Sequence, residues 1–284
     1  MNRNLKGSFM LLITAIIWGF AFVAQSVGID QVGPFAFNGI RCIIGGLVLI
    51  PVILIINRGN IKKVLTKDAL MGGFFCGLCL FTASMFQQWG IMESTVGKAS
   101  FITALYVVIV PVLGVFVGKK VSLKVWIGVA VSLLGLYLLC MTDSFSLSRG
   151  DMFLLICAVC FSVHILIIDY YSPKADGVVI SCIQFFVTGI LSLIVMAFVE
   201  NPTPEMIYSG RWSILYAGVL SCGVAYTLQV VFQRDVEPTA ASLILCLESV
   251  FGVIGGWLLL GQTLSMREIL GCILMFIAIV LAQL

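Results

Sequence analysis

Charge is what this sequence has least of. Its 284 residues hold 16 Lys and Arg and 13 Asp and Glu, so 10% are charged while 61% are hydrophobic. Soluble domains carry about 25% charged residues. One domain of this length cannot hide so much apolar surface from water, so lipid must solvate much of it. There is no basic stripe and no nucleic-acid-binding motif, which excludes a nucleic-acid partner. The absence of a Walker A motif excludes ATP hydrolysis by this chain. No pair of mid-span aspartates is present, which excludes an intramembrane protease of the diaspartyl kind. There is one histidine, His164. An intramembrane enzyme using His164 is therefore the remote alternative, with no second catalytic group in view. No break between hydrophobic runs is long enough for a soluble domain, which argues against a receptor or scaffold. No cofactor or metal is expected. The ten cysteines lie almost entirely in apolar runs, where a thiol is a small reduced packing residue. The C-x-x-C pairs Cys76/Cys79 and Cys157/Cys160 lack the polar, partly exposed setting of a metal or redox site.

What is present is a series of apolar runs, each close to the roughly 20 residues a membrane-spanning helix needs. They lie near 8–27, 35–56, 69–91, 99–117, 123–141, 152–168, 178–199, 212–233, 238–260 and 268–283. The expected fold class is an all-α membrane protein of ten transmembrane helices. The run Ser8–Val27 follows a basic start but is too long for a signal peptide and lacks an A-x-A site, so it counts as the first span. Ser265 and Glu268 have the spacing of a capping box opening the last helix. With the N-terminus inside, inner segments hold 11 of the 16 Lys and Arg: Arg3, Lys6, Arg58, Lys62, Lys63, Lys67, Lys119, Lys120, Lys124, Lys174 and Arg234. Lys98, Arg149, Arg211 and Arg267 fall outside, with Arg41 just inside the second span. This bias puts both termini in the cytoplasm of a multi-pass cell-membrane protein.

The two halves resemble each other. A shift of 143 lays Gly7–Ala15 on Gly150–Ala158. A shift of 142 lays Gln87 on Gln229 and Ala99-Ser100 on Ala241-Ser242. The repeats are 1–142 and 143–284. Each holds five spans, an odd number, so the second enters the membrane inverted. Inverted repeats about an axis in the membrane plane are a recurrent plan of secondary transporters, with the substrate site at the midplane between halves.

Particular residues then point to a family. Ala241–Ser265, with Glu248, Trp257 and Gly261, resembles the ninth-helix signature of EamA-type proteins of the drug/metabolite transporter superfamily. Ala99–Ser122 resembles its fourth-helix version, and Trp18-Gly19 and Pro34–Arg41 are similar as well. Ser249 stands where the family commonly has Pro, and Val107 also departs, with Pro111 one turn later. The resemblance implies ten helices, inverted repeats and a central cavity lined mainly by helices 1, 3, 4, 6, 8 and 9. It implies transport, often export, of amino acids or other small metabolites. The function expected is thus a secondary transporter, exporting small polar metabolites such as amino acids or amines. The alternative is a proton-coupled antiporter of cationic drug-like compounds. The expected partners are a small-molecule substrate and the bilayer, with a monomer favoured.

Glu248 is the only acidic residue deep in a span. A charge at the bilayer centre costs roughly 2.5–3.5 kcal/mol on insertion scales, so it needs a partner, a watery cavity or a proton. It shares a stripe with Ala241, Gly252 and Gly255 that should face the bundle interior. It either meets a cationic group or proton, or is a structural Glu bonded to its neighbours. Tyr106 corresponds to Glu248 in the repeat and should face it across the pseudo-axis. His164 is either a proton relay or ligand contact, or a hydrogen-bonded core residue. Tyr226 and Gln229 share a face of helix 8 with Gln233. Ser84 and Gln88 share one in helix 3, with Gln87 beside them. These hydroxyls and amides suit a polar substrate, though they equally suit helix-to-helix bonding. Trp18 and Phe22 offer an aromatic wall. Arg41 is expected to snorkel or to pair locally, with Asp30 a candidate partner; the alternative is a gating role. Gly73-x-x-x-Gly77, Gly114-x-x-x-Gly118 and Gly252-x-x-x-Gly256 mark close helix contacts.

Overall fold

A computed structural model describes residues 3–93, 96–140, 148–260 and 265–283. The chain is all helical among these residues and forms ten spans. They are Arg3–Val32, Pro34–Ile56, Lys67–Met92, Val96–Thr103 continued by Tyr106–Phe116, Leu123–Cys140, Arg149–Tyr171, Gly177–Val199, Arg211–Asp235, Pro238–Leu245 continued by Glu248–Leu260, and Met266–Gln283. We number them one to ten. Among the described residues seven are long and apolar enough to cross a membrane. The outer surface is apolar, with Phe198 84% and Phe116 83% exposed. The interior holds the polar side chains, among them Gln25, Asn38, Arg41, Gln88, His164 and Glu248. That inside-out distribution is the one lipid imposes. The expected repeat boundary at 142–143 lies outside the described residues.

The packing obeys the inversion. Exchanging each span for the one five later turns the first–ninth contact into sixth–fourth, second–eighth into seventh–third, and first–eighth into sixth–third, and all of these contacts are present. Spans two and seven, and five and ten, pack on their own counterparts along the axis. The helix starts are related too. Asp176 caps the seventh span with its own carboxylate, Oδ1 accepting from the N–H groups of Val178 and Val179 at 2.9 and 3.2 Å. The corresponding position before the second span is Gly33, which has φ 95° and no side chain to offer. Glu200, from the end of the seventh span, supplies the carboxylate instead and accepts from Phe35 N and Ala36 N at 2.9 and 2.8 Å. A negative group at a helix N-terminus satisfies its free N–H groups and its dipole. Ser265 and Glu268 form the expected box, Ser265 N donating to Glu268 Oε2 at 2.7 Å. A second box, Ser148 with Asp151, opens the sixth span.

Glycines let the spans close. A Cβ on Gly77 would sit 2.7 Å from Val187 Cβ and 2.8 Å from Gln184 O; one on Gly73 would sit 2.5 Å from Ile183 Cβ. Thr188 Oγ1 uses the close approach to donate to Gly77 O at 2.9 Å. Gly77→Leu should therefore force spans three and seven apart. Overpacking of this kind costs about 1–3 kcal/mol, and thermal unfolding in detergent should show a lowered midpoint, with an unchanged midpoint contradicting the contact.

Candidate functional site

Spans four and nine carry the central feature. Both are interrupted, at Ala104-Leu105 and at Cys246-Leu247, positions related by the 142-residue shift. The hydrogen bonding tightens identically at each. Val107 N donates to Ala104 O at 3.0 Å, and Ser249 N to Cys246 O at 3.2 Å, three residues back rather than four. Neither break needs proline: Val107 and Ser249 occupy the places where the resembling family commonly has it. Tyr106 and Glu248 are the first residues of the two resumed half-helices. Helix N-termini carry positive partial charge, and broken helices with such ends near the midplane are a recurrent feature of transporter sites. Tyr106 OH donates to Glu248 Oε1 at 3.1 Å, joining equivalent positions across the axis.

Around this pair lies a partly enclosed cavity. Its lining includes Trp18, Gln87, Tyr106, His164, Tyr226, Gln229 and Glu248. Trp18 and Tyr226 make an aromatic wall with ring centroids 4.4 Å apart. His164 Nε2 is hydrogen-bonded to Gln184 Oε1 at 3.1 Å and meets the Tyr226 ring edge-on. Trp18 Nε1 and Gln229 Oε1 are buried without a hydrogen-bond partner among the described residues. Such groups are costly unless satisfied, and both lie in the lining of this cavity.

Two of the expected residues lie behind the wall. Ser84 is buried outside the lining, and Gln88 Nε2 donates to Gln25 Oε1 at 3.2 Å. Gln25, Arg41 and Ser221 are polar residues that join the lining without having been expected there. Arg41 does not snorkel and does not pair with Asp30. It is 3% exposed. Its Nη1 donates to Gln25 Oε1 at 2.9 Å, and its Nε and Nη2 donate to Asn38 Oδ1 at 3.0 and 2.8 Å. Asn38 is held in turn by Ser192 Oγ, 2.9 Å from its Nδ2. Among the described residues no carboxylate forms an ion pair with Arg41. A buried charge held by neutral dipoles alone is one a ligand anion would complement. A signal for this existed in the sequence, since Arg41 begins two turns inside an apolar run.

The eighth span shapes the floor near Arg41. Tyr216–Tyr226 is wound as a π-helix, a form common at functional sites. Thr14 Oγ1 reaches across to donate to Ala225 O at 3.1 Å. Gly45 lets Cys222 come close, since a Cβ there would lie 2.5 Å from Cys222 Cβ.

The sequence profile of the EamA-like transporter family matches residues 5–141 and again 148–284. The chain belongs to this family. Similar proteins include an uncharacterized transporter of Archaeoglobus fulgidus, 29% identical over 99% of this chain and 87% of its own. YoaV of Bacillus subtilis, an uncharacterized transporter, is 24% identical over 93% of this chain and 92% of its own. The uncharacterized inner membrane transporter YedA of Escherichia coli is 24% identical over 95% and 88%. A solved crystal structure shares the fold with a TM-score of 0.81 at 18% identity, covering 98% of this chain and 96% of that one. The family and these relatives are transporters rather than enzymes, so the chain is a multi-pass membrane transporter.

Proposed function

We propose that this transporter is a secondary exporter of small polar metabolites bearing both an amine and a carboxylate, that is, of amino acids. One observation carries the reading: Arg41 and Glu248, opposite in charge, line the same cavity. Arg41 is supported only by neutral side chains and suits a carboxylate through its planar fork of donors. Glu248 suits an ammonium. Export is the direction the family resemblance implies. A cationic drug as cargo would meet Arg41 with like charge, which weighs against the antiporter alternative. The cavity lies within one chain, which supports a monomer as the working unit.

The halves 1–142 and 143–284 would rock against each other in alternating access. The state seen here supports this. Tyr106–Phe116 and Pro238–Leu245 pack together in one buried cluster that also holds Leu11 and Val236. The other halves, Val96–Thr103 and Glu248–Leu260, touch each other less and lean on other spans: Ile102 packs on Leu154 of span six, while Phe251 and Gly252 pack on Gly19 of span one. The seam is thus shut on the face bearing the N-terminus. The positive-inside bias puts both termini in the cytoplasm, making this the outward-open state. Lys119 and Asp169 form an ion pair between the repeats on the shut face. It is partly exposed, and such pairs contribute about 0–1 kcal/mol. Asp169→Asn should therefore move the equilibrium toward the opposite state by at most about fivefold. Accessibility of a cysteine probe introduced at the shut seam should rise accordingly, and an unchanged accessibility would contradict a latch.

Binding tests the reading. A ligand that favours the folded state raises its stability by about 2.7 kcal/mol at a hundred times its Kd. In a thermal-shift series of amino acids, their decarboxylated amines and their deaminated acids, the amino acids should raise the midpoint most. An equal shift from the amines would overturn the zwitterion reading.

A further inference from the structure

Away from the central cavity, spans two and seven part on the face bearing the N-terminus. A groove of about 470 Å³ opens there, walled by Ile53 and Leu54, by Val179 and Ile183, and by Ile61 and Leu65 of the connector between spans two and three. Every lining residue is apolar. The groove faces the hydrocarbon side, where Ile50 and Leu54 are each 38% exposed. Arg58 and Gly59, with φ 48° and 78°, turn the chain so that the short helix Ile61–Val64 lies across the groove's end. This connector carries Arg58, Lys62 and Lys63, and Lys67 follows it, with Asp68 the one acidic neighbour. Arg58, Lys63 and Lys67 are exposed, and among the described residues none forms an ion pair.

The inverted repeat supplies an internal control. The shift of 143 carries Ile61 to Pro204, where the short helix Pro204–Ser209 begins on the opposite face. There the chain fills its own seam: Ile207 and Met196 pack onto the cluster of Ile29, Val32, Phe37 and Ile214. That segment carries Glu200 and Glu205 against Arg211. One architectural element is thus closed and acidic on one face, open and basic on the other.

We propose that the open groove is a binding site for an anionic phospholipid. An acyl chain lies against the apolar walls, and the phosphate is held by Arg58, Lys63 and Lys67. Basic clusters beside helices on one membrane face are where acidic headgroups are recognised. The site goes beyond the transport reading and does not depend on what the central cavity carries.

Native mass spectrometry of the full chain in detergent, titrated with phosphatidylglycerol and with phosphatidylcholine of matched acyl chains, tests it. Phosphatidylglycerol should bind at least about tenfold more tightly, given the worth of each nearby basic residue. The triple variant Arg58→Gln/Lys63→Gln/Lys67→Gln should bring the two lipids within about twofold of each other. Ile50→Trp, at the hydrocarbon-facing wall, should weaken both lipids while keeping their ratio. Elution volume and unfolding midpoint report folding of each variant. Equal binding by the wild type, a triple variant that keeps its preference, or an Ile50→Trp protein with unchanged lipid occupancy would each overturn the site.

Discussion

Arg41→Gln should abolish amino-acid transport while leaving a protein that still inserts and folds. Truncating one partner of a buried, hydrogen-bonded charge interaction costs about 2–5 kcal/mol, or roughly 30- to several thousandfold in affinity. The loss should fall on the carboxylate end of the substrate. Amines lacking a carboxylate should lose far less, which separates recognition from general damage. Gln at 41 keeps an amide that can still bond Asn38, which accepts from the arginine at 2.8 and 3.0 Å. Arg41→Lys keeps the charge but loses the planar fork and should recover part of the activity. Flux in proteoliposomes at matched protein content is the measurement. Uniform loss for amines and amino acids alike would assign Arg41 to structure instead.

The second large effect concerns Glu248. Glu248→Gln removes the charge yet preserves an acceptor for Tyr106 OH, 3.1 Å away. The half-helix start should survive and the unfolding midpoint should move by no more than a few degrees. Transport should fall by about 10- to 150-fold, corresponding to the roughly 1.5–3 kcal/mol of a hydrogen bond to a charged group. Wild-type flux with wild-type pH dependence would remove Glu248 from the substrate path. Tyr106→Phe offers a graded companion, since it frees Glu248 Oε1 without changing the cavity's charge.

The spans were legible because lipid leaves little choice: about 20 apolar residues and satisfied backbone dictate a helix. The inversion was legible from parity, five spans per repeat. The pairing of Tyr106 with Glu248 follows from the same shift, and the hydrogen bond bears out that they meet. What the sequence hid were rotations and local winding. Ser84, Gln87 and Gln88 fall within five residues on one helix, yet Gln87 lines the cavity while Gln88 turns to Gln25. That distinction depends on the roll of span three against spans six and seven, which composition does not encode. Arg41 was hidden for a related reason. Its partners Gln25 and Asn38 are neutral, so a search for a countercharge leads to Asp30, which lies exposed. The breaks in spans four and nine occur without the expected prolines, and the π-winding of Tyr216–Tyr226 has no residue signal beyond small side chains packed near Arg41.

In the proposed transport mode one midplane cavity reads a positive and a negative group together. Counterflow in proteoliposomes measures this directly, comparing a labelled amino acid with its methyl ester and its decarboxylated amine. Saturable flux of the amino acid is expected, with at least tenfold slower flux of the two analogues and loss of that discrimination in Arg41→Gln. Flux of the ester or the amine as fast as the amino acid, or no flux of any member of a broad amino-acid panel, would contradict it.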